Sequence, residues 1–153
     1  MRFVTRERLH VDRIATAWAI RRFVDQQATF VFVRRTKDVR GMTETAFDVP
    51  GTELSHRGAR CTFEVLLETH GLTDPALTRM GHIIRGADLP HEDGLPPESA
   101  GVRALFDALR DGGLSDPERL SAGAEFCEAL YAYCRASSSS GREPSSQLID
   151  PSG

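Results

Sequence analysis

The hydrophobic pattern changes period twice along the chain. Phe3-Val4-Thr5 is apolar and β-branched and predicts a short strand. Residues 11–24 then switch to helical spacing, with Val11, Ile14, Ala15 and Trp18 on one stripe and Ala17, Ile20, Phe23 and Val24 on the other sides. A helix that is apolar nearly all round belongs at the centre of a fold. Asp12, Arg13, Arg21 and Arg22 share this helix, and charges on a buried element need partners or an opening to water. Thr29-Phe30-Val31-Phe32-Val33 reads as a second, buried strand, and strand, helix and strand together make a βαβ unit with parallel neighbours. Residues 34–52 are polar with Gly41, Pro50 and Gly51, a loop region with one short element around Phe47, and residues 53–56 predict a third short strand.

Beyond residue 60 the periodicity is helical. A short helix over 62–70 is stopped by Gly71, and Asp74-Pro75 opens the next with an N-cap carboxylate and a proline in the first turn. Leu77, Met80, Gly81 and Ile84 give that helix its face, Gly86 is placed as its C-cap, and 88–97 is a loop rich in proline, glycine and acid. Another helix starts near Glu98, carries Val102, Leu105, Phe106 and Leu109, and closes at Gly112-Gly113. Ser115 and Glu118 have capping-box spacing ahead of a long stripe, Leu120, Gly123, Ala124, Cys127, Leu130, Tyr131 and Cys134. The expected fold is therefore α/β: a small N-terminal βαβ sheet of two or three short strands packed with a mainly helical C-terminal part, about five helices in all. One domain is expected over 1–136, with 137–153, rich in Ser, Gly and Pro, as a flexible tail.

A chain of 153 residues with 40% apolar side chains is one ordinary globular unit. No apolar run approaches the ~20 residues of a membrane span, so membrane insertion is not expected. The charged N-terminus carries no secretory signal, and the cytoplasm is the expected compartment. The net charge of −3 gives no general attraction to a phosphate backbone, so nucleic acid is not an expected partner. That charge is unevenly spread, with ten basic and four acidic side chains in residues 1–40. Nearly all the basic residues are Arg, which suits bidentate recognition of an oxyanion or carboxylate, though a GC-rich coding sequence is the more economical account. Cys61, Cys127 and Cys134 form no C-x-x-C pair and read as small core residues.

Two constellations carry candidate chemistry. His56, Glu64 and Asp88 each stand where an ordered segment begins or ends, and one imidazole with two carboxylates suits a divalent ion such as Mn, Fe or Zn with positions left for water. His10 and Asp12 are further candidates. Each residue also has a structural explanation: Glu64 favours the positive end of its helix, His56 bonds within a turn, and Asp88 caps a loop or pairs with Arg85. The second constellation is Arg6, Arg13, Arg21, Arg22, Arg57 and Arg85. Arg57 stands out beside His56, and Arg13 on a mostly apolar helix. No glycine-rich phosphate loop, nucleophile elbow or dinucleotide fingerprint is present.

A series of blocks, Thr5-Arg6-Glu7-Arg8, Val11-Asp12-Arg13-Ile14-Ala15, Trp18 to Phe23, Leu54-Ser55-His56-Arg57-Gly58, Cys61-Thr62-Phe63-Glu64, Arg85-Gly86-Ala87-Asp88 and Ala129 to Arg135, resembles the chromate resistance protein family, the ChrB C-terminal domain. The resemblance implies a bacterial stress-response domain acting beside a membrane chromate transporter as regulator or accessory factor. Its blocks contain Arg6, Asp12, Arg13, Trp18, Arg22, His56, Arg57, Glu64 and Asp88. The family has a domain ahead of these blocks, whereas this chain starts at the first of them, so a DNA-binding role is not expected of it. The family often has Cys-Pro before the Trp where Thr16-Ala17 stand here, which removes a cysteine redox role, and the export label some members carry finds no signal in this sequence. The expected function is a chromate-resistance accessory or sensing domain whose pocket holds a metal on His56, Glu64 and Asp88, or an anion such as chromate on Arg13, Arg22 and Arg57, with Arg6, Asp12 and Trp18 in support. A metal-dependent oxidant-detoxifying or hydrolytic enzyme, a structural partner domain without a site, and a homo-oligomer all remain open.

Overall fold

The computed structural model describes residues 1–139. Its sheet has three parallel strands, β1 (Arg2–Arg6), β2 (Thr29–Val33) and β3 (Thr45–Ala46), in the order β2-β1-β3. Phe3, Val4 and Thr5 of the central strand are all buried, as expected of a parallel strand covered on both faces. β1 and β2 pair over their full length, Val4 opposite Val31, as the βαβ pattern requires. The third strand is not at 53–56. β3 pairs with β1 through Phe3 and Val4, and the predicted strand contributes a single bridge, Leu54 to Phe47. The reason is local: Thr52 and Ser55 hydroxyls bond the carbonyls of Val49 and Thr52, winding this stretch into turns instead of leaving it extended.

Among the described residues five α-helices complete the fold: α1 (Val11–Ala19), continued by a π-turn over Ile20–Val24, α2 (Thr62–Thr69), α3 (Pro75–Asp88), α4 (Glu98–Asp111) and α5 (Asp116–Ser139). Eight of the nine α1 residues are buried, because α2, α3 and α5 all pack on it. Asp74 caps α3 by accepting from the Ala76 amide at 2.9 Å, and Ser115 and Glu118 form the reciprocal bonds of a capping box. Gly86 does not end α3. It lies inside the helix, where a Cβ would collide with the Ser99 hydroxyl that donates to the Ile83 carbonyl, so its missing side chain lets α4 approach. Asp88 consequently sits in the last helical turn and not in a loop. α5 runs to Ser139, and the rest of the expected tail lies outside the described residues. No helix among the described residues is long and apolar enough to cross a membrane.

Gly123 shows how tightly α1 and α5 meet: a Cβ there would stand 2.5 Å from Ile14 Cγ2 and 3.1 Å from Phe106 Cε1. Gly123→Ala should cost about 1–3 kcal/mol through overpacking, read as a lower denaturant midpoint with an unchanged m-value.

Candidate functional site

The site begins with a carboxylate that serves a helix other than its own. Asp12, only 2% exposed in the first turn of α1, accepts the backbone amides of Thr62 at 3.0 Å and Phe63 at 2.9 Å. These are first-turn amides of α2, so the negative charge sits at the positive end of that helix and satisfies two donors that lack intrahelical partners. Glu64 takes the preceding amide, Cys61 N–H, at 3.2 Å. Burial pushes the Cys61 thiol well up, which marks it as an inert packing residue.

Three carboxylates converge on one imidazole nitrogen. His56 Nε2 lies 3.0 Å from Asp12 Oδ2, 3.4 Å from Asp48 Oδ1 and 3.5 Å from Asp88 Oδ2. They come from α1, from the loop after β3 and from the end of α3. Asp48 adopts a left-handed backbone, φ +50°, uncommon for a non-glycine residue, and is held there by the Thr62 hydroxyl at 2.8 Å and by Arg13, whose Nε lies 2.9 Å from Oδ2. The Arg13 contact is an ion pair without an aligned N–H, since Nε is buried and donates no hydrogen bond. A cleft of roughly 400 Å³ opens over His56, Asp48 and Asp88 with Arg6 and Arg13 in its wall. A second, of roughly 470 Å³ and lined by His10 and Arg8, shares Arg13, Asp48 and Asp88 with the first and also reaches Asp12.

The electrostatics follow from crowding like charges in a half-dry place. Hydrogen bonds to Asp12 and then Asp48 raise the His56 pKa to about 10 against the opposing effect of burial. Burial, followed by the charge of Asp12, raises Asp88 to about 7. Burial also works against Asp48, but bonds from His56 and Thr62 and the charge of Arg13 more than offset it and hold that carboxyl low. Burial depresses Arg13, with Asp48 opposing and the neighbouring Arg6 adding to the depression.

Of the residues the pattern singled out, His56, Asp88 and Asp12 meet here, with Arg13 and Arg6 beside them. Glu64 is elsewhere: beyond its bond to Cys61 it pairs with Arg85 at 3.5 Å and lines a different cleft. Its place is taken by Asp48, a loop acid that the hydrophobic pattern does not single out. A weak signal existed in Asp48-Val49-Pro50-Gly51 directly after the apolar Phe47, the position of a strand end entering a turn. The three candidate anion-binding arginines are dispersed. Arg22 pairs with Glu128 at 3.4 Å and stacks over Phe23, in a groove shared with Trp18, whose indole donates to Glu128 at 2.8 Å. Arg57 is exposed and bonds the Glu53 carbonyl, leaving Arg13 alone at the cleft. His10 pairs with Asp107 at 2.7 Å, and burial lowers its pKa.

The ligand atoms of Asp12, Asp48 and His56 all lie within 4.8 Å of one another, a spacing one metal ion can span. Adjacent ligands of an ion held at ~2.1 Å stand roughly 3.0–3.5 Å apart, the separations found around His56 Nε2. Two carboxylates and an imidazole form a hard, borderline donor set suited to Mn, Fe or Zn.

Asp12→Ala strands two buried amides and removes the main partner of His56. It should cost about 3–5 kcal/mol, and Asp12→Asn less, in chemical denaturation. In protein kept in chelator, the proton that folded Asp88 retains between pH 3.8 and about 7 makes stability fall as pH rises through that window. The His56 contribution is fully present below pH 6.5 and lost as pH rises through about 10. Melting temperature against pH should show both declines, the lower one missing in Asp88→Asn and the upper one in His56→Gln.

The comparisons with known proteins agree with the blocks seen in the sequence. No solved structure matches the chain. Protein ChrB of Cupriavidus metallidurans is 37% identical over 135 residues, a match covering 86% of this chain and 40% of that protein, so the chain spans less than half the length of this relative. The family described as ChrB, C-terminal domain, matches residues 3–134, which hold both clefts and every residue of the cluster, and the chain belongs to that family.

Proposed function

We propose that this chain is a cytoplasmic chromate-resistance accessory or sensing domain whose Asp12, Asp48, His56 and Asp88 cluster binds one divalent cation of the Mn, Fe or Zn class. The observation that carries this reading is the meeting of three carboxylates from three separate elements around a single imidazole nitrogen at the floor of an open cleft. Like charges are driven together this closely only where a positive centre offsets their repulsion. A dication fills that role more fully than the imidazolium, because it accepts lone pairs from all three oxygens at once. Asp12 fixes the position of the site, since its oxygens are tied to the rigid start of α2. Asp48 and Asp88 face the clefts and leave coordination positions open to water or a ligand. An anion site built from Arg13, Arg22 and Arg57 is disfavoured, since Arg13 and Arg22 are engaged by Asp48 and Glu128 and Arg57 lines neither cleft. The link to chromate resistance, and to a membrane chromate transporter as functional partner, rests on family membership.

Metal analysis of protein purified without chelator, followed by titration of the stripped protein with Mn²⁺ and Zn²⁺, tests the reading. One equivalent should bind and raise the melting temperature, by about 2.7 kcal/mol of stability at a hundredfold excess over Kd. His56→Gln and Asp48→Asn should each weaken binding at least tenfold while remaining folded. Binding should release a proton, because the imidazole must give up its own to become a ligand. Failure of wild-type protein to take up any stoichiometric dication would overturn the proposal.

A further inference from the structure

Two non-glycine residues among the described residues have a left-handed backbone, Asp48 and Arg8, and both stand on the wall of the roughly 470 Å³ cleft. Asp48 is held in that conformation by Thr62 and Arg13. Arg8, at φ +62°, is held by a residue 108 positions away in the chain. Asp116, in the first turn of α5, accepts the Arg8 amide on Oδ2 at 2.9 Å and the Leu9 amide on Oδ1 at 2.8 Å. An acid at a helix start is ordinarily explained by that helix alone. Here Ser115 already caps α5, and both Asp116 oxygens serve another segment. Asp116 is itself anchored: Arg119, one turn on, donates to its Oδ1 at 3.1 Å and gives its other donors to the Leu109 and Arg110 carbonyls, at 3.1 and 2.9 Å, in the last turn of α4. Both side chains are only 12% exposed, so solvent screens the pair little. The pair joins two walls of the cleft, Arg8 and His10 from the turn after β1 and Arg110 and Asp111 from the end of α4.

Leu9 is fully buried, and Asp12 follows it within the first turn of α1. The chain between them has little slack, because Asp116 fixes the amides of Arg8 and Leu9 while the Thr62 and Phe63 amides fix the carboxylate of Asp12. Released from Asp116, Arg8 would relax toward the negative φ that a non-glycine residue prefers and turn the start of α1 with it. We infer that Asp116, braced by Arg119, is a positioning residue of the cation centre: it holds Arg8 left-handed, so that α1 starts where Asp12 reaches both the α2 amides and the bound ion. This rests on the cation reading above and deepens it, since it makes the corner between α4 and α5 part of the site although Asp116 lines neither cleft. Coupling of this kind is reciprocal. If the clasp improves the site for a cation, the cation tightens the clasp.

The experiment combines calorimetric titration of Mn²⁺ into the stripped protein with amide hydrogen exchange. Asp116→Asn keeps the shape and one acceptor oxygen but loses the second oxygen and the charge. At a temperature where this variant is folded, it should bind Mn²⁺ about 5-fold more weakly or worse, the lower end of the usual span of such coupling, and alter the electron paramagnetic resonance spectrum of the bound ion. Asp116→Glu, which keeps both oxygens, should lose less. Tyr131→Phe removes the bond to Asp74, at the opposite end of α3 from Asp88, and as a destabilised control should bind Mn²⁺ as wild type does. In wild type, Mn²⁺ should slow exchange of the Arg8 and Leu9 amides by a factor similar to the affinity lost in Asp116→Asn, a measurement that needs no variant to fold. An Asp116→Asn protein that melts lower yet binds Mn²⁺ like wild type, or Leu9 exchange indifferent to Mn²⁺, makes the clasp merely structural and overturns the inference while leaving the cation site standing. Absence of Mn²⁺ binding to wild type overturns the cation reading and this step with it.

Discussion

The geometry of the centre depends on the Asp12 carboxylate being buried and bonded to the start of a neighbouring helix. A charge that is 2% exposed is tolerable only if its lone pairs are met, and the Thr62 and Phe63 amides meet them in fixed directions. That bond ties α1, the most buried helix, to α2. It also determines where the rest of the centre forms, because the remaining capacity of Asp12 points at His56. Thr62 contributes twice, giving its amide to Asp12 and its hydroxyl to Asp48. Two of the three carboxylates are thus registered against a single residue at a helix start.

A second consequence is that the cluster is held together against its own repulsion. Asp48 keeps an unfavourable backbone conformation, Asp88 is pushed toward the neutral acid by burial and by Asp12, and Arg13 is half-buried near Arg6 with an Nε that has no aligned hydrogen bond. None of these contributes to a minimum-energy apolar core of the same volume. The fold carries them because Ile14, Val11, Phe63, Ile84 and their neighbours supply a large buried core around the site. Strain concentrated on the residues that line two clefts, in a domain otherwise well packed, is the distribution expected where the surroundings hold groups ready for a ligand.

Much of the fold was legible from periodicity. The β1-α1-β2 unit, the all-round apolar character of α1, the caps of α3 and α5 and the helical C-terminal half all follow from spacing and end signals that act within a few residues. The misplacements share a cause, which is that the deciding interaction is distant. Gly86 reads locally as a helix end, but its missing side chain serves the approach of α4. Residues 53–56 look extended by composition, yet Thr52 and Ser55 bond their own backbone. The site divides the same way. His56 and Asp88 stood out for their positions at element boundaries, and Asp12 as a charge on an apolar helix. Asp48 could not be separated from other loop acids, because what selects it is a partner on α1 and another on α2. Glu64 was attractive for a reason that proved local, the amide of Cys61.

The uneven charge of the chain takes on a different meaning once the partners are known. Ten of the first forty residues are basic, and the structure matches several of them singly to an acid or a ring. Arg2 goes to Glu44, Arg13 to Asp48, Arg22 to Glu128 and Arg35 to Asp38, while Arg21 lies over the Phe30 ring. Each acid that answers an arginine is one fewer available to oppose an anion. Arg6 ends on the wall of the cleft over His56, a position set by the register of the sheet. β1 must stop at Arg6 for the chain to turn into α1 and place Asp12 under the start of α2. The strand that carries Arg6 and the helix that carries the buried carboxylate are therefore set by one turn. Their separation cannot drift without breaking the α1 to α2 bond, which holds the end of β1 and the buried carboxylate in a fixed relation on rigid elements.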